Sequence, residues 1–337
     1  MSIEPSIERS NPMESIQKIT KIRALPIVTT YTISSLDIDF EKLVHDGEML
    51  FERFREFQLA SGYDTLMIMG DGTYIAEAFG CDMTYEKREP FITSTLPIET
   101  EEQAAAVAIP EVECCGRIRA LFDAIRMAKK TVGDNVPIIT NSPAAFTSTA
   151  RILGMNETYM NLVMKPDMVK IIIDKVAEYT RNYTDAVIEA GADMIFLADP
   201  AASTNLLSPA MFREFAVAAI KQQVEAASVP AMLHICGKVL PIATDMADVG
   251  AAMLSIDQDV EVAEIRKTVG NDVVIGGNMD PHQVVAKKSV AEVREKAHEN
   301  FRDGGENFVL VPGCTIVPDT PMENVRAMCE VASEMAA

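Results

Sequence analysis

Eight short apolar runs, spread along the whole chain, constrain the fold more than any other feature of this sequence. Each run ends in a small or polar residue, and most are followed by a helix-like pattern. Near-continuous apolar runs are typical of parallel strands that helices cover on both faces of a sheet. Eight strand-then-helix units therefore predict an α/β fold, a (β/α)₈ TIM barrel. The runs are residues 24–31, 65–70, 136–141, 192–199, 230–236, 252–257, 273–278 and 308–313.

The alternative is an open, doubly wound sheet. No Gly-x-Gly-x-x-Gly pattern follows the first run, so the usual dinucleotide-binding form of that fold is not indicated. Amphipathic stretches between the runs predict the outer helices at residues 40–59, 117–131, 167–189, 209–226 and 321–335. Ser208-Pro209 and Thr320-Pro321 each place a hydroxyl before a proline, which predicts a helix cap at both positions.

The spacing of the runs is uneven in one place. About 65 residues separate the second run from the third. We expect a cap or lid insertion at residues 71–112, after the second strand, and an N-terminal extension at residues 1–23. The whole chain, residues 1–337, is then a single barrel domain, which suits its length.

Charge and composition exclude several classes of function. The 337 residues carry a formal net charge of −20, which disfavours binding to nucleic acid or to an anionic membrane surface. No apolar stretch reaches the length of a membrane span, and the first residues lack the apolar core of a signal peptide. Six cysteines are too few for a disulfide scaffold. We expect a cytoplasmic protein.

In a (β/α)₈ barrel, chemistry is assembled at the carboxyl ends of the strands. Most of the eight runs end there in polar residues, so we expect them to share one rim. They are Thr30, Asp71, Asn141, Asp199, His234, Cys236, Asp257, Asn278, Asp280 and Cys314.

His234 and Cys236 are the most informative of these residues. Side chains at i and i+2 of a strand point to the same face, so an imidazole and a thiol are presented together. Cys314 follows another run, with 77 residues between it and Cys236. One nitrogen and two sulfurs suit a tetrahedral zinc with an open fourth position, and ligands this far apart are typical of catalytic sites. From these residues alone, a core histidine beside two buried cysteines stays equally open.

The C-terminal half resembles the methylcobamide:coenzyme M methyltransferases of the uroporphyrinogen decarboxylase superfamily. The segments that carry the resemblance are Leu233-His-Ile-Cys-Gly-Lys-Val-Leu-Pro-Ile242, Leu254-Ser-Ile-Asp257 and Val311-Pro-Gly-Cys-Thr-Ile-Val-Pro-Asp-Thr-Pro-Met-Glu-Asn324. The resemblance implies a barrel of the uroporphyrinogen decarboxylase type, with catalytic zinc on His234, Cys236 and Cys314. It also implies a corrinoid protein partner, whose methyl group passes to a zinc-activated thiol such as coenzyme M.

Three further residues are candidates at strand ends. Asp257 and Asp199 are candidates to orient the metal histidine or to occupy the open zinc position, although a helix cap or a loop turn is the commoner role of such a residue. Asn278, in a segment that resembles one near the superfamily's pocket, is a candidate for contact with substrate. We assign no role to Glu77. His45, His282 and His298 are expected at the surface.

Two other enzyme functions stay open within the superfamily. One is a methyl donor:corrinoid protein methyltransferase that acts on a methylated substrate such as a methoxylated aromatic. The other is a decarboxylase, although the segment Ile22-Arg-Ala-Leu-Pro-Ile27 lacks the arginine-rich start by which tetrapyrrole decarboxylases hold substrate carboxylates. A non-enzymatic protein with a zinc site closed by four protein ligands is a fourth possibility. Two sulfur ligands favour a thiol acceptor.

Overall fold

The protein is described by a computed structural model that covers residues 22–34 and 38–335. The expected N-terminal extension, residues 1–23, lies almost wholly outside the described residues. Seven parallel strands form the main sheet in the order β1-β4-β5-β6-β7-β8-β9, and β2 and β3 form a separate antiparallel hairpin. The strands are β1 Leu66–Ile68, β2 Asp82–Glu86, β3 Glu89–Ser94, β4 Ile138–Pro143, β5 Met194–Ala198, β6 Ala231–Ile235, β7 Met253–Ile256, β8 Ile275–Met279 and β9 Phe308–Pro312.

Helices follow most of the strands and cover the outside of the curled sheet. They are α1 Thr30–Ile33, α2 Phe40–His45, α3 Gly47–Ser61, α4 Tyr74–Ala78, α5 Glu101–Ala106, α6 Gly116–Val132, α7 Ala145–Leu153, α8 Met155–Met164, α9 Pro166–Ala190, α10 Pro209–Phe215, α11 Val217–Ala226, α12 Ala243–Asp248, α13 Val262–Val269, α14 Val290–Gly304 and α15 Met322–Glu334. The predicted TIM-barrel class is confirmed. Among the described residues, no helix has the length and apolar character needed to cross a membrane.

The first apolar run takes a different form from the strand that we predicted at residues 24–31. It is an extended segment that makes one parallel bridge, from Ala24 to Leu310 of β9. At its far end the Thr30 amide donates to the carbonyl of Met69, the residue after β1 (3.1 Å). Pro26 has no amide hydrogen to donate, so a regular ladder cannot run through it. The segment nevertheless connects the two edge strands of the sheet, and Thr30 and Tyr31 already belong to α1.

The barrel interior is a distinct apolar cluster, separate from the layer between the strands and the helices. Five of its twelve fully packed members are methionines, which fill irregular space well: Met67, Met69, Met194, Met232 and Met253. Because strand side chains alternate, the inward positions that follow Met232 and Met253 are His234 and Ser255. The interior is therefore apolar below and polar at its carboxyl rim.

The helix predictions hold with local differences. Residues 167–189 lie within α9, where Pro166 stands at the start and Gly191 follows the end with φ of 123°. Residues 40–59 divide into α2 and α3, because Asp46 ends the first helix and its side chain caps the second at the Met49 amide. Residues 209–226 divide at Ala216 into α10 and α11.

One of the two predicted caps is correct. The Ser208 side chain accepts from the Met211 amide at the start of α10. The Thr320 cap is wrong: α15 begins two residues later at Met322, and the Thr320 hydroxyl donates to the Val317 carbonyl (2.7 Å). Residues 71–112 contain α4, the β2–β3 hairpin and α5. That this segment acts as a lid stays a prediction.

Candidate active site and metal centre

Strand β6 brings His234 to the barrel rim. It pairs with β5 on one side and with β7 on the other, and His234 lies opposite Ala198 and Ser255 in the register. The whole strand is buried, and His234 is only 3% exposed. Its ring stacks on Phe196, with centroids 5.4 Å apart. Packing thus fixes the imidazole before any ligand binds.

The structure brings together the three residues that the sequence singled out. The ligand atoms of His234, Cys236 and Cys314 all lie within 4.8 Å of one another, and His234 Nε2 is 3.2 Å from Cys236 Sγ. His234 is buried, and the two cysteines are half-buried. All six cysteines of the chain are free. Residues far apart in the sequence therefore converge at one point of the rim.

Two glycines allow this convergence. Gly237 turns the chain directly after Cys236 with φ of 78°, and a Cβ there would lie 2.6 Å from Asn205 Nδ2. Gly313 precedes Cys314, and a Cβ there would lie 2.6 Å from the backbone nitrogen of Gln258. Real Cβ atoms do not approach backbone so closely, so any larger residue would displace the loop that carries Cys314.

Ser255 determines how the imidazole is held. Its Oγ is 3.0 Å from His234 Nδ1, in a fully buried contact between neighbouring strands. We predicted that a carboxylate, Asp199 or Asp257, orients this ring; the hydrogen-bond partner of Nδ1 is the Ser255 hydroxyl. With Nδ1 engaged, Nε2 is the nitrogen that faces the two sulfurs.

The two thiols lie close together and affect each other's ionisation. Cys236 and His234 lower the pKa of the Cys314 thiol, although burial opposes this. Cys314 and burial raise the pKa of the Cys236 thiol. Cys314 is therefore the thiol of the pair that ionises more readily.

This donor set fits zinc. In a tetrahedral zinc site, Zn–S distances near 2.3 Å and Zn–N distances near 2.0 Å place the ligand atoms about 3.5–3.8 Å apart. The observed cluster is close to that spacing, and soft sulfur with imidazole nitrogen suits zinc better than magnesium or calcium. Three protein ligands would leave one position for a substrate.

Asp257 lies beside the cluster. It is 4% exposed, and its Oδ1 accepts from the Asp259 amide (2.9 Å). Burial raises its pKa, while hydrogen bonds from the Gly237 and Asp259 amides and the nearby His234 act in the opposite direction. The carboxylate thus stabilises the turn that follows Cys236. That Asp257 is the fourth zinc ligand stays a prediction.

Asp199 is fully buried, and its carboxylate is only half satisfied. Its Oδ1 accepts from the Thr147 amide (2.9 Å) and hydroxyl (2.6 Å). No group among the described residues bonds to Oδ2. Burial raises the pKa of Asp199 to about 6, and the Thr147 bonds reduce the rise. The carboxylate therefore ties β5 to α7, and its catalytic role stays a prediction.

Asn278 holds a loop beside the site. Its Nδ2 donates to the carbonyls of Asp257 (3.1 Å) and Val260, and its Oδ1 accepts from Asn300 (3.3 Å). The two donated bonds stabilise the turn that follows β7, and the third ties Asn278 to α14. Asn278 is not among the residues that line the cavity next to the cluster. Its predicted contact with substrate stays untested, and its observed bonds are to protein.

A cavity of about 150 Å³ opens directly onto the three ligand residues. We call one part of its lining the metal side; it includes Phe196, His234, Cys236, Cys314 and Thr315. The opposite part, the far side, includes Asp71, Gly72, Asn141, Thr147 and Arg151. A small molecule fits this space, whereas a tetrapyrrole is far too large to enter it whole. The rim thus has space for a compound of a few heavy atoms beside the three ligand residues.

A buried ion-pair network supports the far side. Arg117 of α6 bonds to Asp71 (3.1 Å) and to Glu77 (2.6 Å), and its guanidinium lies over the Tyr85 ring. Glu77, to which we had assigned no role, is therefore a structural partner of Arg117. This network ties residues from the 71–112 segment to the barrel wall.

Sequence reasoning missed Ser255, Arg117 and Arg151. Ser255 stands two residues before Asp257, so strand alternation alone could have placed it on the same face. Its contact with His234 required the strand register. Arg151 did leave a signal, since it is the only charged residue in positions 135–156. An isolated charge in an apolar helix at a barrel rim is a candidate for function.

Comparison with known proteins agrees with this geometry. A family model described as uroporphyrinogen decarboxylase (URO-D) matches residues 23–335. The chain is 31% identical over 277 residues to methylcobamide:CoM methyltransferase MtaA of Methanosarcina barkeri, which covers 81% of this chain and 80% of that protein. It is 30% identical over 292 residues to the uroporphyrinogen decarboxylase of Chlorobaculum parvum, with 82% and 81% covered.

A solved structure described as a methyltransferase from Methanosarcina mazei superposes with a TM-score of 0.86. The two are 25% identical, and the match covers 97% of this chain and 99% of that one. The predicted resemblance, fold and enzyme class, a methyltransferase, are confirmed by these likenesses. The chain belongs to the uroporphyrinogen decarboxylase family.

Proposed function

We propose that this enzyme is a zinc-dependent methyltransferase that moves a methyl group from a corrinoid protein to a small thiol such as coenzyme M. One observation carries the proposal: His234, Cys236 and Cys314 meet at the barrel rim and face a small cavity. Relatives that are named methylcobamide:CoM methyltransferases, MtaA among them, support the donor and acceptor classes.

The residues of the site have different roles in the proposed reaction. Zinc on these three ligands would lower the pKa of a thiol at its open position, so that the thiolate exists at neutral pH. Ser255 keeps the His234 ring oriented with Nε2 toward the sulfurs. The buried strands hold the ligands in place, and the cavity admits the acceptor while the far larger corrinoid stays at the mouth.

A thiol acceptor is favoured over a methoxylated donor by the ligand set. Two thiolates and a neutral imidazole would leave the zinc with little net charge, which makes it a weak Lewis acid toward an ether oxygen. The same soft set accommodates a third sulfur well. The proposal therefore places the methyl acceptor, rather than the methyl donor, in the cavity.

The test is methyl transfer from free methylcobalamin to 2-mercaptoethanesulfonate, followed anaerobically by the cobalt spectrum. The C–Co bond breaks with both electrons left on cobalt, so methyl-Co(III) must become Co(I) as the S–C bond forms and the thiol loses its proton. We expect zinc-dependent conversion, with the methylated thioether found by mass spectrometry. Full activity in a verified zinc-free preparation would contradict the proposal.

Two further incubations separate the related functions. Methoxylated aromatics with a Co(I) corrinoid would instead yield methyl-Co(III) if the enzyme works on methylated donors. The 30% identity to a uroporphyrinogen decarboxylase makes porphyrinogen turnover the third assay. Decarboxylation of a porphyrinogen without metal would contradict the proposal, because that reaction would not require His234, Cys236 or Cys314 as zinc ligands.

A further inference from the structure

Two arginines lie at the far side of the cavity, and they differ in their partners. Arg117 is held by two carboxylates, Asp71 and Glu77. Arg151 lines the cavity itself, together with the three ligand residues. Within residues 22–34 and 38–335, no hydrogen bond or ion pair engages its guanidinium. The contrast identifies Arg151 as the cation of the cavity wall for which the described part of the chain supplies no partner.

The backbone leaves room for this side chain. Arg151 stands near the end of α7, the helix that follows β4 at the rim. Gly72 faces it with φ of 78°, and a Cβ there would lie 2.4 Å from Arg151 Nη1. A larger residue at position 72 would push the guanidinium away. The loop after β1 is therefore shaped around the charged head of Arg151.

The neighbouring acids do not neutralise Arg151. Asp71 is already bonded to Arg117 and to Thr73. Asp199 uses one oxygen on Thr147, and its charge acts on Arg151 without forming an ion pair. A guanidinium keeps its proton at any physiological pH, and an unpaired charge with little access to water is costly. A ligand anion would complete the site.

We propose that Arg151 binds an anionic group, a sulfonate or a carboxylate, at the end of the methyl acceptor opposite its thiol. The inference rests on the proposed function for the thiol end, and it assigns the selection of a terminal anion to one residue, Arg151. The planar fork of an arginine suits such groups, since it can donate two parallel hydrogen bonds. The substrate would then be bound at both of its ends, by the zinc at its thiol and by Arg151 at its anion.

The experiment compares four small thiols that differ at the far end: 2-mercaptoethanesulfonate, 3-mercaptopropionate, neutral 2-mercaptoethanol and cationic 2-mercaptoethylamine. Methyl transfer from methylcobalamin gives kcat/KM for each thiol with the zinc-loaded enzyme. We expect the anionic thiols to exceed 2-mercaptoethanol by about 10- to 100-fold, the range that one or two charge-assisted hydrogen bonds provide. The ratio between the two anionic thiols then separates sulfonate from carboxylate.

Variants assign that preference to Arg151. Arg151→Gln should abolish the anionic preference, mainly through KM, while Arg151→Lys should keep part of it, because the charge remains without the fork. The control is Arg53→Gln, since Arg53 is an exposed residue of α3 that pairs with Glu56. A purely structural role for Arg151 would reduce all four thiols alike, and this result would overturn the inference.

Calorimetric titration separates failure of this inference from failure of the proposed function. Equal rates with charged and neutral thiols would overturn the anion site and leave the methyltransferase proposal standing. If no thiol is methylated, titration of 2-mercaptoethanesulfonate and 2-mercaptoethanol into wild type and Arg151→Gln still decides whether Arg151 selects anions. If both variants fail to fold, the four-thiol series with wild type alone decides.

Discussion

The two sides of the barrel rim use opposite chemistry. The metal side, from β6, β7 and β9, presents one nitrogen and two sulfurs, held by a serine and by backbone turns. The far side, from the loop after β1 and from β4, α6 and α7, presents charge: a paired arginine, Arg117, and Arg151, which has no partner among the described residues. In the functions proposed above, the first side would activate a thiol and the second would select which thiol enters.

The sharpest way to break this comparison is to remove a metal ligand. Cys314→Ala should lose its zinc and at least about 1000-fold in methyl-transfer rate, because the metal supplies several kcal/mol of stabilisation to the reaction. Cys114→Ala is the matched control, since Cys114 is an exposed free thiol. Zinc is measured by plasma mass spectrometry on both. Retention of zinc and activity by Cys314→Ala would refute the proposed zinc site.

Loss of the paired arginine tests whether the far side is a rigid wall. Arg117→Gln leaves Asp71 and Glu77 without their cation in a largely buried site, so we expect a loss of about 3 kcal/mol in unfolding free energy. Arg126→Gln on the same helix removes exposed pairs only and should cost less than about 1 kcal/mol. Urea denaturation measures both. Similar losses for the two variants would show that the network is not structural.

Removal of the hydroxyl that orients His234 sharpens the account of the metal side. Ser255→Ala should weaken zinc affinity by about 10- to 100-fold, because hydrogen bonds behind a metal ligand have effects of that size. Ser333→Ala, which removes an exposed helical hydroxyl, is the control. Competition with a chelator gives the affinity. Equal affinity in the two variants would mean that packing on Phe196 alone orients the ring.

The smallest expected effect is a pH-dependent change in stability when the buried carboxylate of Asp199 is replaced. Asp199 has a pKa of about 6 in the folded protein against about 3.9 in an unfolded chain, so its ionisation opposes folding as pH rises. The stability of Asp199→Asn relative to wild type should therefore increase by about 2 kcal/mol between pH 4.5 and pH 8. Urea unfolding at several pH values checks this. A pH-independent difference would contradict the raised pKa.

The same Asp199→Asn preparations address its predicted role at the metal. If Asp199 supplied the fourth zinc ligand, the amide would bind zinc more weakly and chelator competition would show it. If it only ties β5 to α7 through Thr147, zinc affinity stays at the wild-type value.

The metal side could be predicted from the sequence because it rests on strand alternation. A period of two places His234 and Cys236 on one face, and the strand end places Cys314 at the same rim. The far side rests on contacts between elements that no local pattern encodes. Arg117 meets Asp71 and Glu77 across about 40 residues of chain, and Ser255 reaches His234 only through the register of β6 and β7.

Local breaks in the fold escaped prediction for a similar reason. Pro26 was counted within a strand, although its missing amide limits that run to a single bridge. Asp46 was counted within a helix, although its side chain is used to start the next one. In both cases the apolar periodicity continued through the break. One residue decided the structure in each case: Pro26 through its missing amide hydrogen and Asp46 through its capping side chain.

Zinc K-edge X-ray absorption, before and after addition of 2-mercaptoethanesulfonate, tests the central claim most directly. The account predicts two sulfur ligands and one imidazole in the enzyme alone, with a lighter atom in the fourth position. Addition of the thiol should raise the sulfur count to three. A zinc with four protein ligands that the thiol leaves unchanged, or a protein that binds no zinc, would contradict the account.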